Sequence, residues 1–212
     1  NVTIPYKKKI IKHLDSIDKS AKTTNAVNTL LFKNNKMKGY NTDIIGFKKG
    51  LSNKDWNKNR PVIVFGAGGA AEAVVYFLKS ENIKNIIIIN RTKSNAAKII
   101  KRYKNIKYDY KMNDYMKEAG LIINTTSLGM LGYPDLKVKL NKINKEAIIY
   151  DIVYNPINTK LIKNAKKYNL TNITGLEMFI EQARASFSIW FNIQPEINNK
   201  LITSIKKRIS KI

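Results

Sequence analysis

The sequence predicts an α/β fold, a doubly wound parallel sheet with a second lobe assembled from both chain ends. Three observations predict it. Continuous apolar runs recur through the middle of the 212-residue chain: PVIVF at Pro61–Phe65, NIIIIN at Asn85–Asn90, LIIN at Leu121–Asn124 and AIIYDIV at Ala147–Val153. Strands of that kind are buried on both faces, as in a parallel sheet covered by helices. Helical periods fall between them, at Ala70–Lys79 and Ser94–Tyr103. Finally, the polar stretch LSNKDWNKNR at Leu51–Arg60 separates this pattern from a different one before it.

In chain order, Asn1–Gly50 holds a short strand, a helix near Lys8–Ser20 and a hairpin around Leu30–Tyr40. Residues 60–175 form the α/β unit. Gly175–Ile212 reads as two helices broken near Pro195, the first carrying LEMFIEQARASFSIWF with a helical apolar period. The expected division is therefore 1–59, 60–175 and 176–212, with the two flanks meeting as one lobe.

Composition excludes several classes. Hydrophobic residues at 43% and charged residues at 25% are globular values. No apolar run approaches the ~18 residues of a membrane-spanning helix, so no membrane partner is expected. The chain starts with no basic, then apolar, targeting pattern. Cysteine is absent, which removes disulfide scaffolds, Cys-type zinc sites and thiol nucleophiles. No metal site is expected, and a reducing, cytoplasmic setting is. The net charge is +24, yet Lys, Asn and Ile make up 92 of the 212 residues and only five residues are Arg. Phosphate-clamping and base-reading surfaces lean on Arg. The lysines are spread along the whole chain, so the charge reads as a biased, solvated surface rather than a nucleic-acid interface.

The strongest motif follows the first buried strand. PVIVF runs into GAGGAAEAV, Gly66–Val74. Glycines there allow a tight turn and close backbone approach, and the helix that follows offers free N–H groups to a phosphate. Gly66, Ala67, Gly68, Gly69 and Ala70 are thus candidates to hold a dinucleotide, in a Rossmann-type unit. An NAD site carries an acidic residue near the end of the second strand. This chain has Asn90, Arg91 and Thr92 there, then Lys93. A guanidinium beside a hydroxyl suits a 2′-phosphate, which points to NADP(H).

A nicotinamide site acting on an alcohol also needs a group for the hydroxyl proton. His13, the lone histidine, sits in a basic stretch, IIKHLD, and reads as a surface residue. NVTIPYK offers Lys7, AVNTL offers Asn28 and NTDIIGF offers Asp43. Spacing alone leaves these between strand or turn ends and chemistry.

The ordered motifs NVTIPYK, AVNTL, NTDIIGF, FGAGGAAEAV, NRT, INTTSLGM, YDIVYNPINTKLI and GLEMFIEQARASFSIWF resemble the shikimate dehydrogenase family over nearly the whole chain. The resemblance implies NADP-dependent interconversion of shikimate and 3-dehydroshikimate in aromatic amino-acid biosynthesis. It implies a substrate-binding lobe from both chain ends around an NADP-binding Rossmann unit. Lys7 would be the catalytic lysine and Asp43 its acidic partner. Thr3, Asn28, Asp43, Tyr154 and Gln182 would contact the substrate. Gly66–Ala70 would hold the diphosphate, Asn90, Arg91 and Thr92 the adenosine phosphate, and Ile152 and Gly175 the nicotinamide end. Lys8 and Lys9 read as solvated. The chain departs from the family pattern at Asn25, where glycine is usual, and at Asn95, where many members carry a second basic residue. It also starts inside the first motif, without the preceding segment and its Ser-x-Ser grip on the substrate carboxylate. The expected partner is a small-molecule substrate, and the expected state a monomer or homodimer. Alternatives are a quinate/shikimate relative using NAD, a basic nucleic-acid-binding module on the same scaffold, and a degenerate pseudoenzyme.

Overall fold

The structure, a computed structural model, describes residues 1–110 and 114–210. The first part holds β1 (Ser16–Ile17), α1 (Lys19–Thr24), β2 (Thr29–Lys33), β3 (Lys36–Tyr40) and α2 (Asp43–Ser52). The middle holds β4 (Val62–Phe65), α3 (Gly69–Ser80), β5 (Ile86–Ile89), α4 (Lys93–Arg102), β6 (Ile106–Asp109), β7 (Leu121–Asn124) and β8 (Ile148–Asp151). Then come α5 (Lys160–Lys167), β9 (Thr171–Ile173), α6 (Gly175–Phe191) and α7 (Asn199–Ile209). The expected second helix of Gly175–Ile212 is α7, and the last two residues of that range lie outside the described ones.

Six parallel strands form the large sheet in the order β6-β5-β4-β7-β8-β9. The order reverses between β4 and β7, the switch point of a Rossmann sheet, where ligands sit beyond the strand carboxyl ends. Alternate residues of each strand face opposite layers. Val62, Val64, Ile86 and Ile88 pack with Phe47 of α2, Leu78 of α3 and Ile99 of α4. Ile63, Phe65, Ile87 and Ile149 pack with Leu161 and Ala165 of α5. This two-sided burial is why the strands read as unbroken apolar runs.

A three-stranded sheet, β1-β3-β2, holds the amino-terminal part. β2 and β3 are antiparallel and joined by Asn34 and Asn35, both at positive φ, the two-residue turn that suits strand twist. Among the described residues, all seven non-glycine positions with positive φ are asparagine. Asparagine tolerates that conformation better than other L-residues, so the Asn-rich composition is put to use at turns and helix ends. Asn25 is one of them, closing α1 in the left-handed region at φ +47°.

The helix expected at Lys8–Ser20 is not formed. A 3-10 turn covers Lys9–His13, β1 follows, and α1 starts at Lys19. Two carboxylates explain the break. Asp15 accepts from the Met37 N–H at 2.7 Å, and Asp18 caps α1 by accepting from Ser20 N at 2.9 Å. Asp at an N-cap takes extended backbone and so starts a new helix.

Side chains from both chain ends meet. Trp190 of α6 donates to Leu30 O at 2.7 Å, and Asn1 Nδ2 donates to Ser186 Oγ at 3.1 Å. α2 crosses α6 closely, because a side chain at Gly46 would run into Met178 O and Gln182. At its other end, Gly50 leaves room for the Tyr150 hydroxyl of β8. Tyr150 stacks on Phe47 with ring centroids 4.8 Å apart, and its hydroxyl is buried with no hydrogen-bond partner among the described residues. An unpaired buried hydroxyl costs free energy that phenylalanine does not. Tyr150→Phe should therefore leave the unfolding free energy, read from urea curves, unchanged or raise it by up to ~1 kcal/mol. A loss above that would show an unseen partner for the hydroxyl.

Candidate active site

Lys7 and Asp43 come together across 36 residues of sequence, with Nζ to Oδ2 at 2.6 Å. Local structure places each. Lys7 follows the Ile4–Pro5 segment, and its carbonyl accepts from Val27 N at 2.8 Å. Asp43 opens α2, where the helix dipole favours a carboxylate. Its side chain is 5% exposed and that of Lys7 16%, so the pair is largely withdrawn from water.

Asn28 organises the surrounding polar cluster. Its Nδ2 donates to Asp43 Oδ1 and Thr42 Oγ1, both at 2.9 Å, and to Gln182 Oε1 at 3.3 Å. Its Oδ1 accepts from Thr42 N at 2.8 Å and from Thr29 Oγ1 at 3.0 Å. Ser186 Oγ joins through Thr29 at 2.7 Å and Thr42 at 3.1 Å. Gln182 also donates to Phe179 O at 3.0 Å, and the Phe179 ring stacks on Tyr154 at 4.2 Å. The structure thus brings Lys7, Asn28, Asp43 and Gln182 into one cluster and links Tyr154 to it through Phe179. Thr3 is exposed; it follows Val2, whose N–H donates to Asn28 O at 2.7 Å.

A cleft of about 700 Å³ opens at the switch point, lined by Lys7, the Gly66–Ala70 turn, Asn90 and Thr125–Ser127. Gly66 has φ +108°, and a side chain there would meet Thr125 Oγ1. Gly68 faces open space. A Cβ on Gly69 would touch the Lys7 stem at 3.3 Å, so the turn and the lysine are in near contact. These glycines leave the backbone bare toward the cleft, which fits a diphosphate laid against the start of α3. A larger hollow of about 910 Å³ lies between α6 and α7 and is lined by neither Lys7 nor the glycine turn.

The far end of the cleft is only partly as expected. Asn90 lines it, while Arg91 and Thr92 are exposed beside it. Asn90 Nδ2 donates to Thr92 O at 2.8 Å, which shapes the loop displaying Arg91. Asn95, Lys98 and Arg102, along the cleft side of α4, line it as well. From Asn90 to Arg102 there is no carboxylate. Ile152 and Gly175 pack backbone to backbone, leaving no space for a side chain at Gly175.

Sequence reasoning missed four groups here. Thr42, Thr29 and Ser186 belong to the Asn28 network, and a lone hydroxyl residue carries no periodic signal. Lys8, expected to be solvated, instead donates to Glu72 Oε1 at 2.9 Å.

Asp151 ends β8, fully buried. It accepts from Asn124 Nδ2 at 2.9 Å, Val153 N at 3.1 Å and Thr159 Oγ1 at 2.6 Å. Burial lifts its carboxyl from 3.8 to about 6, against the pull of those donors. The folded state then holds the proton better than the unfolded one. This group's contribution to stability is largest below its unfolded pKa, falls as pH rises through its folded pKa, and is flat above. The unfolding free energy of wild type relative to Asp151→Asn should fall by about 2–3 kcal/mol between about pH 4 and pH 7. A pH-independent difference would contradict this.

Known proteins resemble this chain in sequence and fold. The family model described as Shikimate / quinate 5-dehydrogenase matches residues 50–179. Models described as Shikimate dehydrogenase substrate binding domain and Shikimate 5'-dehydrogenase C-terminal domain match residues 1–30 and 175–198. The shikimate dehydrogenase (NADP(+)) of Methanocaldococcus jannaschii is 40% identical over 224 aligned residues, covering 98% of this chain and 78% of the relative. A crystal structure of a shikimate dehydrogenase in complex with NADP+ superimposes with a TM-score of 0.86 at 37% identity, covering 100% of this chain and 75% of that one. The shikimate 5-dehydrogenase of Thermus thermophilus, in complex with NADP(H) and shikimate, gives 0.85 at 28% identity, covering 99% and 78%. The family model over residues 50–179 and a relative 40% identical over 98% of the chain show that the chain belongs to the shikimate/quinate 5-dehydrogenase family.

Proposed function

We propose that this chain catalyses the NADP-dependent, reversible reduction of 3-dehydroshikimate to shikimate. The observation that carries the reading is the Lys7–Asp43 pair at 2.6 Å, with Lys7 lining the cleft that the Gly66–Ala70 turn closes. The bound nicotinamide supplies or accepts hydride. Lys7 Nζ exchanges a proton with the reacting oxygen of the substrate. Asp43 stabilises the ammonium and fixes its direction, and Asn28 in turn fixes Asp43. Asn28, Gln182, Tyr154 and Thr3 present hydrogen-bond partners to a polyhydroxylated ring. Gly66, Ala67, Gly68, Gly69 and Ala70 bind the diphosphate. Asn90, Arg91 and Thr92 receive the 2′-phosphate, and Ile152 and Gly175 shape the nicotinamide end. Among the described residues no helix is long and apolar enough to cross a membrane. We place the enzyme in the cytoplasm, as a monomer or homodimer without a nucleic-acid partner.

The test is shikimate-dependent formation of reduced nicotinamide with NADP+ and with NAD+. Activity should be higher with NADP+, and Arg91→Ala should raise KM for NADP+ by about tenfold, the loss of one charge-assisted pair, with little change for NAD+. Equal use of both coenzymes, or quinate preferred over shikimate, would favour the NAD-linked alternative. No activity, together with salt-dependent binding of DNA or RNA, would favour the basic binding module.

A further inference from the structure

Lys7 can serve the proposed reaction only if its segment is held at a fixed distance from the glycine turn. The next residue supplies a hold. Lys8 Nζ donates to Glu72 Oε1 at 2.9 Å, and Arg102 Nη1 donates to Glu72 Oε2 at 2.6 Å. The Glu72 side chain is 0% exposed, while those of Lys8 and Arg102 are 33% and 31% exposed. Glu72 lies in the first turn of α3, Arg102 ends α4, and Lys8 adjoins Lys7. One carboxylate therefore joins three segments: the one bearing Lys7, the helix after the glycine turn, and the helix after the end of β5.

The charge balance is informative too. A bare carboxylate in the first turn of α3 would oppose a diphosphate at that helix end. Two cations on Glu72 leave the group net positive. Arg102 alone already neutralises Glu72 within the Rossmann unit. The second cation is thus surplus to pairing the buried charge, and it is the one that comes from the other lobe. Tyr103, next to Arg102, adds a parallel contact by donating to Thr23 O at 3.3 Å.

We infer that Lys8 is a positioning residue, which through Glu72 and Arg102 latches the segment carrying Lys7 onto α3 and α4 and so sets where Lys7 Nζ sits in the cleft. The inference rests on the dehydrogenase reading for its effect on turnover, but the latch itself has a readout without turnover.

The test compares Lys8→Met and Lys8→Arg with wild type in the full chain. In Lys8→Met, amide hydrogen exchange across residues 6–14 should speed by about tenfold or more, as a local tether is lost. Turnover at saturating NADP+ and shikimate should fall by about tenfold or more, in line with a small misplacement of a reacting group. NADPH affinity, read by nicotinamide fluorescence, should stay within about threefold, since Arg102 still neutralises Glu72 and the Gly66–Ala70 backbone is untouched. Lys8→Arg should restore most of kcat, because it restores the pair. Unchanged exchange in Lys8→Met overturns the latch. So does unchanged kcat with only a lower melting temperature, which is a purely structural pair, or a loss confined to NADPH affinity, which is a direct cofactor ligand. A wild-type chain that forms no reduced nicotinamide from shikimate sinks the dehydrogenase reading instead, and the exchange measurement still decides the latch.

Discussion

Lys7→Ala should lower kcat by about 10²–10⁴-fold, the usual worth of a positioned proton donor or acceptor. The ammonium lines the cleft at 2.6 Å from Asp43, and the substitution deletes the group proposed to exchange the proton. NADPH affinity should barely change, since the proposed diphosphate seat is backbone. Stability should fall as well, because Asp43 stays buried and loses its cation. Asn28 Nδ2 still donates to Asp43 Oδ1 at 2.9 Å, and the Lys7 side chain is partly hydrated, so the cost should be roughly 1–3 kcal/mol rather than that of a fully buried broken pair. Steady-state kinetics beside a fluorescence titration separates the two effects. Turnover within tenfold of wild type would remove Lys7 from its proposed role.

Asn28→Ala should be the most damaging substitution for both folding and activity. Asn28 is 3% exposed and uses both ends of its amide. Alanine would strip the Thr42 N–H of its acceptor and Asp43 Oδ1 of a donor, both in a region closed to water. Buried groups left unpaired cost about 1–3 kcal/mol each, more when charged. A total loss of about 3–5 kcal/mol follows from two such groups, read from urea unfolding curves. Asp43 would also lose its direction toward Lys7, so kcat should drop even where the protein is folded. Asn28→Asp keeps the shape but sets a second carboxylate against Asp43. The like charges repel, so this variant should be less stable and less active than wild type. A stable, active Asn28→Ala protein would show that the network is not what holds Asp43.

The residues show which parts of this are legible in the sequence. VIVF, IIII, LIIN and IIYD are buried on both faces, so their signal is continuous and survives without tertiary context. β6 and β9 are not. They lie at the two edges of the sheet, and their burial is mixed, so IKYD and TNI carry little apolar signal. α2 escapes notice for a different reason. Gly46 and Gly50 lower its intrinsic helix preference, yet they are what let it approach α6 and Tyr150. Tertiary packing overrides propensity there. The helix expected at Lys8–Ser20 errs in the opposite direction: the apolar period of IIKHL is real, but Asp15 and Asp18 bind backbone groups and divide it.

The candidate site is legible where short motifs carry it and hidden where distance does. Lys7, Asn28 and Asp43 stand in three separate motifs, and their resemblance to a family unites them before the fold does. The Lys8–Glu72–Arg102 group cannot be read that way, since its members lie 64 and 30 residues apart. Arg91 shows the converse. Its position at the end of β5 is plain from sequence, but the side chain is exposed beside the cleft rather than lining it.

The most direct test of the two-lobe arrangement is a crystal structure of this chain with NADP+ and shikimate. The account predicts the diphosphate against Gly66–Ala70 and Lys7 Nζ within hydrogen-bond reach of the reacting hydroxyl, with Asp43 behind it. Coenzyme absent from the glycine turn, or Lys7 directed into bulk solvent with shikimate bound elsewhere, would contradict it.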